Sequence, residues 1–168
     1  MAIEIALVEP EIPANTGNIS RSCVSTASAL HLVGTLGFSL SNRYLKRAGL
    51  DYWDRLELEL WQDLPELINS REWPAVYYAT TKGARLYTEV PYPDGSLVVF
   101  GKETHGLPES LLLAHPERCI RIPMVEENRS LNLSNSVAIV MYEALRTQGF
   151  PGMLGKSAWF ESRPVPRD

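Results

Sequence analysis

Apolar residues follow two rhythms along this chain. The runs "IEIALV" (3–8), "HLVG" (31–34), "AVYYAT" (75–80), "SLVVFG" (96–101) and "CIRIPM" (119–124) are nearly continuous, short, and bounded by Gly, Pro or polar residues. Such runs predict buried strands. "LELELW" (56–61) alternates strictly, as a strand with one wet face does. Helical spacing predicts a helix in "NTGNISRSCVSTASAL" starting near Asn15 or Thr16, a turn around 45–53, a helix over 64–71 behind Asp63 and Pro65, and a short helix after "GLP" (106–108). The longest helix runs from about 133 to 148. Its buried stripe is Leu133, Val137, Val140, Met141, Ala144 and Leu145, with Tyr142 beside it. Strands alternating with helices imply an α/β fold with a mainly parallel sheet covered on both faces.

Composition narrows the function classes. The 168 residues are 45% hydrophobic and 21% charged, typical of a globular chain of one domain. No apolar run approaches the roughly 20 residues that span a bilayer. The N-terminus lacks the basic region of a signal peptide, so a cytoplasmic protein that does not engage a membrane is expected. Cys23 and Cys119 form no C-x-x-C pair and read as two buried thiols. His31, His105 and His115 lack ligand spacing, and no metal is expected. A net charge of −4 excludes binding nucleic acid through bulk charge; such a partner needs a local basic face. Arg43, Lys46 and Arg47, with Tyr44, Tyr52 and Trp53 interleaved, could supply one, although from that stretch alone a solvated helical turn is the stronger reading.

Three loops after strands concentrate polar residues. "EPEIPANTGNISR" leads into a helix presenting Asn15, Asn18 and Arg21; Asn18 and Arg21 share a face, and a plain Asn or Thr helix cap with a surface Arg explains them equally. In "VVFGKETHGLPESLL" a strand stops at Gly101, which has no side chain to hold a ligand off the backbone, and Glu103 follows in a turn. In "SLNLSNSVAIVMYE", Asn132 or Ser134 can cap the long helix, yet the run of Asn and Ser exceeds what one cap needs.

"EPEIPANTGNISRSC", "FGKETHGLPESLL" and "IRIPMVEENRSLNLSNSVAIVMYEALRTQG" resemble, in order and spacing, the three motifs of SPOUT-class RNA ribose 2′-O-methyltransferases. The nearest resemblance is to the TrmL (YibK-like) subgroup, which acts on cytidine or uridine at the tRNA wobble position. It runs from residue 3 to about 152, making 1–152 the methyltransferase domain and 153–168, rich in Gly and Pro from residue 149, a poorly ordered C-terminal tail. Lys102 and His105 depart from the motif-two pattern.

The resemblance implies a SPOUT fold with a C-terminal trefoil knot, a homodimer, and S-adenosylmethionine as cofactor. It fits the absence of a G-x-G-x-x-G turn after any strand. By the same resemblance, Ala79, Thr80, Gly101, Ile122, Met124, Ser130 and Leu131 would line the cofactor. Asn15, Arg21, Glu103, Asn132 and Tyr142 would form the catalytic group, and Arg129 would join Arg43, Lys46 and Arg47 in holding a tRNA anticodon loop. The family proposal makes Arg21 the base; a guanidinium that keeps its proton suits stabilising a developing alkoxide better. A catalytically idle RNA-binding or assembly factor and a 2′-O-methyltransferase acting on another RNA are the alternatives. Intact Arg21, Gly101 and Asn132 oppose the first.

Overall fold

The computed structural model describes residues 3–40, 53–126 and 130–159. Its frame is a seven-stranded parallel sheet in the order β3-β2-β1-β6-β4-β7-β5. The strands are β1 (Ile3–Val8), β2 (Ala29–Val33), β3 (Leu58–Trp61), β4 (Val76–Ala79), β5 (Arg85–Leu86), β6 (Ser96–Phe100) and β7 (Cys119–Arg121). β1 is an interior strand beside the central β6, pairing Ile5 with Leu30 on one side and with Val98 on the other. Both its faces are covered, so its residues are buried without alternation.

Period two then sorts the core. Ile3, Ile5 and Leu7 pack under α1 (Pro13–Thr26) and α4 (Leu133–Thr147), while Ala6, Leu97 and Val99 meet Leu67 of α2 (Leu64–Asn69) and Leu112 of α3 (Glu109–Ala114). All six stripe residues of α4 are buried, and Tyr142 beside them is 46% exposed. Cys23 and Cys119 are buried free thiols, and burial pushes the Cys23 thiol up to about 12.

Some boundaries differ from expectation. α1 starts at Pro13, two residues before Asn15, because proline suits the first helical position, and no side chain caps it. α2 ends at Asn69 but starts as expected, with Asp63 accepting the Glu66 N–H and Glu66 accepting the Gln62 N–H. β7 stops at Arg121, ahead of Pro123. β5 has only two residues, both exposed, and gives no periodic signal. Of the turn expected around 45–53, the part before residue 53 lies outside the described residues; Trp53–Arg55 form one 3-10 turn. Residues 153–159 carry no helix or strand.

The connection between β4 and β5 positions the site. Ala79 and Arg85 both register with Ile120, so residues 80–84 cross over β7 from one neighbour to the other. The crossing is tight. Thr80 N–H donates to the Ile120 carbonyl at 2.9 Å, and a Cβ on Gly83 would lie 2.9 Å from the Ile120 carbonyl carbon. Crossings of this kind are rare in parallel sheets.

Candidate active site

In a parallel sheet all carboxyl ends lie along one edge, and the loops leaving β1, β4, β6 and β7 gather there. They enclose a cleft of about 520 Å³, within the roughly 300–1,000 Å³ usual for small-molecule sites. Phe100, Leu107, Ile120 and Val140 contribute apolar wall. Ala79, Thr80, Gly101, Ile122, Met124, Ser130 and Leu131, the seven residues expected to line a cofactor, all border it, as do Asn15, Glu103 and Asn132.

Three distant segments meet through one hydrogen-bond chain. Glu103 accepts the Glu11 N–H at 2.8 Å, the Ile12 N–H at 3.2 Å and the Asn15 amide at 2.9 Å. Its carboxylate thus holds the two backbone N–H groups just ahead of Pro13, at the end of α1 where the helix dipole favours negative charge. The Asn15 carbonyl oxygen accepts from the Asn132 amide at 3.0 Å. Asn132 in turn caps α4, its Oδ1 accepting the Ser134 N–H at 2.9 Å and the Ser134 hydroxyl at 2.6 Å. Asn15 is therefore a bridge between motifs and not the helix cap that its local sequence also allowed.

Gly101 is held to glycine by a constraint beside the ligand approach that its sequence suggests. A Cβ there would lie 2.0 Å from the Gly106 carbonyl carbon and 2.2 Å from the Leu107 nitrogen. The space beside its Cα is filled by its own loop, which folds back through the Gly106 N–H to Lys102 carbonyl bond at 2.9 Å. This loop is also tied to the β1–α1 loop. Lys102 Nζ lies 2.7 Å from Glu9, and that bond raises the ammonium above its usual range. Thr104 donates to Glu11 through its hydroxyl at 2.8 Å and its N–H at 3.1 Å, and the hydroxyl bond is the largest cause holding the Glu11 carboxyl below its usual range.

Two expected catalytic residues stand apart. Arg21 and Tyr142 are exposed on α1 and α4 and do not line the cleft of their own chain. Arg43, Lys46, Arg47 and Arg129 lie outside the described residues. Thr104, which lines the cleft, and Glu11, which it bonds, carry no mark in the sequence beyond adjacency to Glu103 and Pro10 in two loops already marked as functional, and His105, also on the cleft, is marked there only as a departure from the motif-two pattern. Among the described residues no cluster of three or more His, Cys, Asp or Glu could hold a metal, and no helix is long and apolar enough to cross a membrane.

A ligand cleft at the carboxyl edge of a parallel sheet, floored by a strand that passes beneath its neighbours' connection, defines a SPOUT-type α/β domain. The SpoU rRNA methylase family matches residues 2–142, and the chain belongs to it. The Escherichia coli K12 tRNA (cytidine(34)-2′-O)-methyltransferase is 45% identical over 151 residues, 89% of this chain and 96% of that protein. A Listeria monocytogenes serotype 4b protein is 50% identical over 157 residues, 92% of this chain and 93% of the relative. A solved structure described as giving insight into 2-OH methylation of C/U34 on tRNA superimposes with a TM-score of 0.82 at 37% identity, covering 88% of this chain and 96% of that one.

Proposed function

We propose that this chain transfers a methyl group from S-adenosylmethionine to the ribose 2′-hydroxyl of the wobble nucleotide, a cytidine or uridine, in tRNA. The observation that carries the reading is the convergence of Asn15, Glu103 and Asn132, from three distant motifs, on one cleft. Identity of 45% to an enzyme named for that reaction supports it.

The cofactor supplies an activated methyl on sulfur; the chain's residues hold and align it. The backbone around Ala79–Thr80, Gly101 and Ile122–Met124, with Ser130 and Leu131, would hold its adenosyl and amino-acid parts, and the mix of apolar wall and exposed peptide groups suits such a molecule. The Glu103–Asn15–Asn132 chain keeps the wall rigid, which matters because alignment dominates the barrier of such a transfer. Arg21 would stabilise the developing alkoxide and an adjoining phosphate.

The working unit in this reading is a cytoplasmic homodimer. Arg21, Ile139 and Tyr142 are exposed on α1 and α4, which pack together, and a two-fold axis across them could bring Arg21 to the partner's cleft. Arg43, Lys46, Arg47 and Arg129 would grip the anticodon loop. The reading includes a trefoil knot, which the passage of residues 80–84 over β7 supports. The test is mass spectrometry of wobble nucleosides from cells lacking this protein. Loss of 2′-O-methylation at position 34, restored by the parent chain and not by Arg21→Ala, is expected; unchanged nucleosides would reject the reading.

A further inference from the structure

A ribose hydroxyl that takes a methyl group must lose a proton, and the groups lining the cleft narrow where it can go. The Glu103 carboxylate already receives three donors. Lys82, Tyr87, Lys102 and Arg121 are of residue types that hold their own protons at neutral pH. His105 is the remaining titratable side chain among the lining residues, and it is exposed.

Its hydrogen-bond partner fixes its tautomer. His105 Nδ1 lies 2.7 Å from the Thr104 hydroxyl, and that hydroxyl donates to Glu11 at 2.8 Å. A hydroxyl has a single hydrogen. Since Thr104 gives it to the carboxylate, Nδ1 must donate to Thr104, and the ring's lone pair sits on Nε2. A carboxylate, a hydroxyl and an imidazole in series thus orient a base in the way a third group orients the histidine of a nucleophile–base pair.

We infer that His105 Nε2 is the proton acceptor for the ribose 2′-hydroxyl, a role that rests on the methyl-transfer reading above. The hydroxyl hydrogen passes to Nε2 while an oxygen lone pair forms the new carbon–oxygen bond. The carbon–sulfur bond breaks with its electrons going to sulfur, so the sulfonium becomes a neutral thioether. The imidazolium then returns its proton to water. Arg21, as a cation, steadies the alkoxide and takes no proton. Glu11 reaches the ring through Thr104; the other charged groups of the two joined loops are Glu103 and the Lys102–Glu9 pair, and Lys82, paired with Glu109, lines the same cleft.

The test uses His105→Asn, whose amide can keep a bond to Thr104 but has no basic nitrogen. Single-turnover transfer with cofactor and tRNA saturating should fall by about a hundredfold or more. The pH dependence that the base gives the parental rate should be lost. Affinities for cofactor and tRNA should stay within about twofold, because a transition-state group is removed and not a binding one. In the cofactor-free protein, ¹⁵N resonances of His105 should report the Nδ1–H tautomer, and Thr104→Val should release it. A parental rate with the same pH inflection, an Nε2–H ring, or a loss confined to tRNA affinity would each overturn the assignment. If the parent protein itself methylates no tRNA, the wider reading fails and this one with it.

Discussion

His31 and His105 each stand near a carboxylate, and the contrast between their surroundings separates a structural histidine from a chemical one. His31, on β2, is 1% exposed. Its Nε2 bonds Glu4 at 2.8 Å, while Nδ1 accepts the Trp61 indole N–H at 3.0 Å, so both nitrogens are taken by the protein. Arg71 completes the cluster, pairing with Glu4 and lying 4.0 Å over the Trp73 ring. His105 has one nitrogen held and lines a cleft at the carboxyl edge. A charged residue type under a sheet is expected to be saturated with partners; at a site, a deliberate lone pair remains.

The sharpest way to break the edge region is Gly101→Val. The Cβ would meet the Gly106–Leu107 backbone, so the loop carrying Glu103 must open. Cofactor affinity should drop by more than about a hundredfold in calorimetry, the consequence of misplacing a preorganised wall. Circular dichroism should show the domain folded, since the β1–β6 core is untouched. Next in size is a mixing experiment. Co-expressed Arg21→Ala and Gly101→Val chains pair at random, so about a quarter of all sites should be intact if the two residues come from different subunits. Mixed dimers with no methyl transfer would show a site built within one chain.

The buried region should respond in stability alone. His31→Phe leaves the Trp61 N–H without its partner while Glu4 keeps Arg71, and it should cost about 2 kcal/mol in denaturant titration. The transfer rate per folded molecule should not change; a rate loss would erase the distinction between the two histidines. Asn132→Ala removes the α4 cap and the link to Asn15, costing about 1 kcal/mol of stability. Because Asn132 belongs to the cleft, its transfer rate should fall as well, and stability loss without rate loss would move it to the structural side.

What the sequence made legible follows physical lines. The six-residue stripe of α4 was readable because helical period and burial agree in one long element. β1 and β6 were readable as continuous apolar runs in a sheet covered on both faces. That Ala79, Ile122 and the other expected residues border one cleft was legible only through the ordered motifs, since Ala79 and Ile122 carry no chemical mark of their own. Glu11 and Thr104 escaped, and His105 was marked only as a motif-two departure, because their bonds join residues more than ninety positions apart or depend on which hydroxyl hydrogen goes where. Gly101 borders the cleft as its sequence suggested, but a second constraint on it was not legible: a Cβ would meet backbone five and six residues onward, which no local pattern reveals.

The most direct test of the central claim is methyl transfer from labelled S-adenosylmethionine to a substrate tRNA whose nucleotide 34 alone is 2′-deoxy. With the ribose oxygen absent, the purified protein should incorporate no label, while the matching all-ribose tRNA is labelled at position 34 and the deoxy tRNA still binds and competes. Label entering the deoxy tRNA at the base of nucleotide 34, or at any other nucleotide, would contradict the account.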